Sequence, residues 1–278
     1  EKVFEIRVAQ DFSGENLRGS NFTQYDLRGS RFVGTDLSFS VFWGTDFSDA
    51  DLTNASLRYS DVSNTNFGGA RLDGASLTGA VFSTETTWPT DFDPKAHGMY
   101  GPGCDYSGGS LRGSNFTRYD LRDTRFVGAD LSFSVLWGTN FSGADFTNAD
   151  LRYSNVSSAN FGGARLDGAS LTGAVFSTET TWPVGFDPTA HGMFGPHVDH
   201  SGENLRGLNL TQQDLRGSRF VGADLSFSVF WGTNFSDADF TNADLRYSNV
   251  SSANFGGARL DGASLTGAVF STETTWPV

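Results

Sequence analysis

The sequence predicts an all-β fold in which the chain turns a corner after every short segment, as in a solenoid. Three observations lead to this prediction: a composition rich in Gly (34 residues) and Phe (26) but poor in Met (2), a large apolar side chain at every fifth position, and a longer repeat of 94 residues. Such a biased composition is typical of a chain built from one repeated structural unit. The repeated unit is therefore expected to set the architecture.

The five-residue repeat runs without interruption from Phe12 to Phe82. Leu, Phe or Val occupies every fifth position, and a small or polar residue such as Ala50 or Thr65 lies two positions before each. Neither an α-helix nor an ordinary strand has a period of five, and the strands of a β-sandwich would need a period of two. The pattern fits a chain whose large side chain fills the axis, while the small one lies beneath a corner and the other three residues face solvent.

These repeats resemble a known family. Segments such as residues 50–54 (ADLTN) and 70–74 (ARLDG) are similar to the repeats of pentapeptide-repeat proteins, and the resemblance covers nearly the whole chain. It implies a right-handed, four-sided parallel β-helix with four pentapeptides per coil and coils ~4.8 Å apart.

The 94-residue repeat divides the chain into three modules. Residues 110–184 and 204–278 differ at only 9 of 75 positions, and their solvent-facing residues are copied as closely as their apolar ones. This identity indicates a recent duplication or a consensus design.

Each module is expected to contain whole coils. Sixteen pentapeptides, the last centred on Trp88, would make four coils from 80 residues and leave 14 for a loop. We therefore predict a single column of about twelve coils with two ejected loops; three separately folded modules are the alternative. The predicted segments are an N-terminal strand or cap (1–11), repeat modules at 12–89, 104–183 and 198–278, and loops at 90–103 and 184–197.

Charge alternates along one predicted column, because residues twenty apart stack in a four-sided helix. Opposite charges in adjacent coils contribute a few tenths of a kcal/mol per pair at an exposed surface and help to fix the register. Since this column opens with Asp11 and closes with Arg259, a second molecule stacked head to tail would continue the alternation. The first and third copies are Asp11, Arg31, Asp51, Arg71 and Asp199, Arg219, Asp239, Arg259.

Aromatic residues also occur at positions that the repeat turns outward. They are either covered by the loops, through Phe92 or Phe186, or they form a lateral protein contact or a sugar-stacking platform. If the loops cover these residues, the third module, with no loop after Val278, would leave its outward aromatic residues uncovered. The outward aromatic residues are Phe39, Trp43, Tyr59, Phe133, Trp137, Tyr153, Phe227, Trp231 and Tyr247.

Composition and motifs exclude several functions. A net charge of −13 argues against a nucleic-acid partner, and no run of 18 apolar residues is present to span a membrane. Cys104 is alone, so neither an internal disulfide nor a cysteine zinc site is expected. His97, His191 and the group His197, Asp199 and His200 lack an orienting base or a third ligand, so we predict no catalytic residue, no metal site and no cofactor. Calcium binding by the loop aspartates Asp91, Asp93 and Asp187 stays open.

These features favour a non-enzymatic structural protein. We expect it to associate with itself head to tail, in a filament or an extracellular layer, without inserting into a membrane. The first residue, Glu1, is consistent with a removed export signal, hence an extracellular or cell-surface location; a trimmed, cytoplasmic protein is the alternative. Two other functions stay open: a monomeric or dimeric scaffold that binds another protein, and a DNA mimic resembling the quinolone-resistance pentapeptide proteins that act on DNA gyrase.

Overall fold

The computed structural model describes residues 9–278. Residues 2–8, the basis of the predicted N-terminal strand, lie outside the described range. Two short 3-10 helices, Pro94–His97 and Pro188–His191, are the helical segments of the described residues, and neither is long enough to cross a membrane.

The ladder consists of isolated parallel bridges, most of them between residues twenty apart. Asp11 bridges to Arg31, Arg31 to Asp51, and Asp51 to Arg71, and the pattern recurs on the three other sides of the coil. Each step is held by backbone hydrogen bonds, for example from the Phe12 amide to the Arg31 carbonyl at 2.8 Å. Twenty residues divided into five-residue segments give four sides, so the predicted four-sided parallel β-helix is confirmed.

The core is built from the two inward residues of each pentapeptide. Large side chains such as Phe32, Phe47 and Phe67 are fully buried, and burial of each stabilises the fold by about 1.5–3 kcal/mol. Inward Thr and Ser hydroxyls donate to a carbonyl of the preceding coil, as Thr65 does to Phe42 at 2.8 Å. Small polar residues are therefore tolerated inside because their hydrogen bonds are satisfied.

The corners explain the frequent Asp, Asn and Gly. A bridging Asp such as Asp51 accepts a hydrogen bond from the amide two residues later, at 3.1 Å from Thr53. The residue after Thr53, Asn54, has a positive φ of 57°, a conformation that favours Gly, Asn and Asp. A repeat of small polar residues thus encodes a repeat of tight turns.

The chain forms two compact units. The first contains Glu1–Ser107, Tyr119–Phe126 and Asn140–Asp145, and the second contains Gly108–Arg118, Val127–Thr139 and Phe146–Val278.

In the first unit, the loop stays within the ladder. Val81 bridges to Tyr100, and the Gly103 amide donates to the Arg122 carbonyl at 2.9 Å, so the chain returns to the same side of the coil after the loop. Residues 88–99 thus replace two sides of one coil. The Trp88 ring stacks on Phe67 at 5.2 Å and Phe92 stacks on Trp88 at 4.8 Å, so the loop covers the core with its own rings.

The predicted ejection of 14 residues after four whole coils is therefore not confirmed. Asp105 follows Tyr100 by one pentapeptide and continues the side of Asp46 and Thr87, not that of Asp11. The second unit shows the same path, since Val175 bridges to Phe194 and the His197 amide donates to the Arg216 carbonyl at 2.9 Å. The count of about twelve coils stays a prediction.

Candidate interaction site

Three sets of stacked side chains form the most distinctive exposed surface. In each set an arginine guanidinium lies 4.1 Å from the centre of a Phe ring, and that ring packs against a Tyr ring with 5.0–5.1 Å between the ring centres. We call these sets the Arg-aromatic columns. They comprise Arg18, Phe39 and Tyr59; Arg112, Phe133 and Tyr153; and Arg206, Phe227 and Tyr247.

The aromatic residues of the columns occupy strained corners. All six have positive φ, between 57° and 61°, at the turn position that elsewhere holds mostly Gly, Asn or Asp. A left-handed backbone costs about 1–2 kcal/mol for a residue with a Cβ. A stacked pair returns about 0.5–1.5 kcal/mol, and an exposed cation-π contact about 0.5–1 kcal/mol. The rings therefore add little net stability at these corners.

Stacking leaves the ring edges exposed. Arg18 covers one face of Phe39 and Tyr59 covers the other, while the backbone of Gly79 approaches the Tyr59 ring so closely that a Cβ there would lie 2.4 Å from Cδ1. Each of the six aromatic residues is nevertheless about half exposed (48–56%). Sugars stack on ring faces, so this geometry disfavours the sugar platform. Aromatic edges carry partial positive charge and favour negative groups or the face of another ring.

The loops do not cover these columns. Phe92 stacks on Trp88 and His97, and Phe186 stacks on Trp182 and His191. The interpretation in which the loops fold back over the outward rings is wrong, because the loop rings are used to close the coil. Phe39 and Phe227 are equally exposed, at 48% and 49%, so the third copy is no barer than the first.

The outward tryptophans differ between modules. Trp43 and Trp231 are exposed, at 45% and 43%. Trp137 is half-buried, and the Arg118 guanidinium lies 4.6 Å from its ring centre. Gln24 and Gln212 occupy the corresponding positions in the first and third modules, so the difference comes from the sequence.

The first column also differs from the other two in charge. Arg152 and Arg246 each form a close ion pair at 2.6 Å, with Asp150 and Asp244 respectively. The hydrogen bond from Arg152 lowers the pKa of Asp150 and raises that of the guanidinium. The first module has Ser56 at the position of these aspartates. Within the described range, no carboxylate lies within 4 Å of the Arg58 guanidinium.

A surface groove accompanies this difference. It has a volume of about 530 Å³ and lies beside Phe39 and Tyr59, between Arg18 and Arg58. Its lining includes Asp36, whose pKa is lowered mainly by a hydrogen bond from the Ser38 hydroxyl. The groove therefore combines two guanidinium groups, one carboxylate and two ring edges.

The predicted charge ladder is present locally. The ion pairs are Arg31 to Asp11 at 3.7 Å, Arg71 to Asp51 at 3.8 Å, Arg219 to Asp199 at 3.2 Å and Arg259 to Asp239 at 4.0 Å. All four arginine side chains are more than half exposed, so each pair adds at most a few tenths of a kcal/mol. Continuation of this ladder by a second molecule stacked head to tail stays a prediction.

The loop aspartates and His200 have local contacts in the structure. Asp93 and Asp187 cap the short helices by accepting from the amides of Lys95 and Thr189 at 3.0 Å. Among the described residues, no group of three His, Cys, Asp or Glu side chains is placed to hold an ion. His200 is buried between the rings of Phe194 and Phe220, and its Nε2 has no partner.

Sequence reasoning missed the arginines of the columns. It found that Phe39 and Tyr59 stack, but residue 19, twenty positions before Phe39, is a glycine. The covering side chain comes from the neighbouring Arg18, which also donates to the Ser38 hydroxyl at 3.2 Å. The recurrence of Arg at positions 18, 112 and 206 was the available signal.

Comparison with known proteins identifies the family. The chain matches the sequence profile described as "Pentapeptide repeats (8 copies)" in overlapping segments that together cover residues 11–83, 103–177 and 204–271. The chain therefore belongs to the pentapeptide-repeat family, as the resemblance predicted. No match was found among curated proteins.

Solved structures similar to this chain are also pentapeptide-repeat proteins. HetL, involved in heterocyst differentiation regulation in the cyanobacterium Nostoc sp. strain PCC 7120, is 20% identical over 93% of this chain and 89% of its own, with a TM-score of 0.23. Trypsin-treated QnrB1, a plasmid-mediated fluoroquinolone resistance protein, is 17% identical over 95% and 92%, with a TM-score of 0.24. The protein alr5209, also from Nostoc PCC 7120, is 30% identical over 34% of this chain and 85% of its own, with a TM-score of 0.19.

Proposed function

We propose that this protein is a non-enzymatic scaffold that binds another protein through its Arg-aromatic columns. The observation that carries the proposal is the retention, in three copies, of exposed aromatic residues at corners where they strain the backbone. A fold with many glycine corners has no structural need for a ring there, and exposed aromatic and arginine side chains are enriched at protein interfaces.

The test replaces the rings without disturbing the coils. All six aromatic residues of the columns lie at positive φ, so glycine is compatible with each backbone position. Proteins captured from a source-cell extract by the native chain and by the six-glycine variant are compared, and each candidate partner is then purified and titrated by calorimetry. We expect partners whose affinity is lost with the rings. The exposed ladder variant Arg31→Ser, which leaves all six rings in place, should keep them.

A result in which the six-glycine variant binds every partner as tightly as the native chain would contradict the proposal. Head-to-tail assembly into a filament or an extracellular layer, and action on DNA gyrase, stay predictions without support from the column geometry. Light scattering over a range of concentrations and a gyrase supercoiling assay test them separately.

A further inference from the structure

The three Arg-aromatic columns have the same rings but unequal charge. The charged residues that line the groove of the first column are Arg18, Arg58 and Asp36, which give a local charge of +2 − 1 = +1. In the second, Arg112 and Arg152 oppose Asp130 and Asp150, which gives +2 − 2 = 0. Against a net charge of −13 for the chain, the first column is locally positive.

The extra charge is available for binding. Arg58 lies 5.7 Å from the centre of the Tyr59 ring, and half of that ring is exposed. Its counterparts Arg152 and Arg246 are held in ion pairs by the aspartates that replace Ser56. A guanidinium has five N–H donors in a plane that matches a carboxylate.

The ring edges reinforce this preference. Arg18 and Tyr59 pack against the ring of Phe39, and the Gly79 backbone approaches the ring of Tyr59. The accessible parts of both rings therefore include C–H edges of partial positive charge. A negative group near these edges meets no repulsive π cloud. Edges and guanidinium groups therefore favour the same kind of ligand.

We propose that the groove of the first column binds an acidic peptide segment of a partner protein, with carboxylates on Arg58 and Arg18 and apolar side chains against the ring edges. This inference rests on the proposed scaffold function and names the chemistry of its partner. The second and third columns, neutral and already paired, do not take this ligand.

The experiment uses a fluorescein-labelled, end-blocked peptide of alternating Glu and Phe, titrated by fluorescence anisotropy against the full chain. We expect one site per chain. Ser56→Asp, which copies the chemistry of the other two columns, should weaken binding about tenfold or more, the usual effect of losing a charged hydrogen bond. Asp150→Ser, the reverse exchange, should free Arg152 and create a second site. Arg31→Ser, an exposed arginine outside the groove, should bind as the native chain does.

The variants separate the two levels of the proposal. If Phe39→Gly with Tyr59→Gly abolishes binding and Ser56→Asp does not change it, the scaffold function stands and the preference for acidic groups is wrong. If neither change affects binding, both are wrong. A peptide with Lys in place of Glu that binds equally well overturns the charge argument. Tighter binding of polygalacturonate, with the same dependence on Ser56, would assign the groove to an acidic polysaccharide instead.

Discussion

Gly79 tests whether the ring of Tyr59 is held where the structure places it. A Cβ at Gly79 would lie 2.4 Å from Cδ1 and 2.5 Å from Cε1 of Tyr59, and the φ of Gly79 is +76°. Gly34 is the matched control, because its φ is +66° and a Cβ there meets nothing within 4 Å. Both Gly79→Ala and Gly34→Ala should lose about 1–2 kcal/mol to the left-handed backbone.

Only Gly79→Ala should also displace a ring. The Tyr59 side chain is half exposed and can swing away, so the additional loss is limited to its stacking on Phe39, about 0.5–1.5 kcal/mol. The assay is urea unfolding, with the free energies of unfolding compared at an unchanged denaturant slope. In a Tyr59→Gly background the two alanine variants should become equal. Equal destabilisation in the native background, or a difference that persists without Tyr59, would refute the placement of the ring over Gly79.

Three further measurements test the core, the loop and the buried histidine. Phe47→Ala should lower the free energy of unfolding by about 3–5 kcal/mol because its ring is fully buried, and a loss below 1 kcal/mol would contradict the axial packing. Trp88→Ala should lower the free energy of unfolding far more than Trp43→Ala, because Trp88 stacks on Phe67 and closes the coil, whereas Trp43 is 45% exposed. Equal losses of unfolding free energy would mean that the loop is not part of the core. Burial lowers the pKa of His200, so below about pH 6.5 the unfolded chain takes up a proton that the folded chain resists. Stability should therefore fall as pH decreases from 7 through this value and level off below the folded-state pKa. His200→Phe should remove that part of the pH dependence. If the native chain and His200→Phe have identical stability profiles from pH 5 to 7.5, His200 is not the group responsible.

In the proposed acidic-peptide site, a single repeated position sets the charge of the surface without changing the fold. Ser56, Asp150 and Asp244 all bridge to their neighbours in the ladder, because the backbone forms the bridges whichever side chain is present. The side chain then decides only whether the arginine two residues later is paired. A repeat fold can in this way alter its ligand chemistry one module at a time, at little cost in stability.

The periodicity of the amino-acid sequence is enough to predict the architecture. A period of five is compatible with neither a helix nor a flat sheet. The spacing alone predicted that Phe47 and Thr65 face inward. It also determined that Phe39 and Tyr59 share a column, because stacking in a four-sided helix follows directly from a separation of twenty. These features depend on the five-residue period, which can be read directly from the sequence.

The path of the loop, the partners of the rings and the burial of His200 depend on packing and could not be predicted from the repeat. The 94-residue spacing predicted that each module is a whole number of coils followed by a loop. The stacking of Trp88 and Phe92 instead lets twelve loop residues replace two sides, and this rotates the ladder that begins at Asp105. The reach of Arg18 across a corner to Phe39 likewise depends on side-chain conformation, which no backbone period specifies. Periodicity fixes where the chain repeats, whereas packing decides what an interruption of the repeat does.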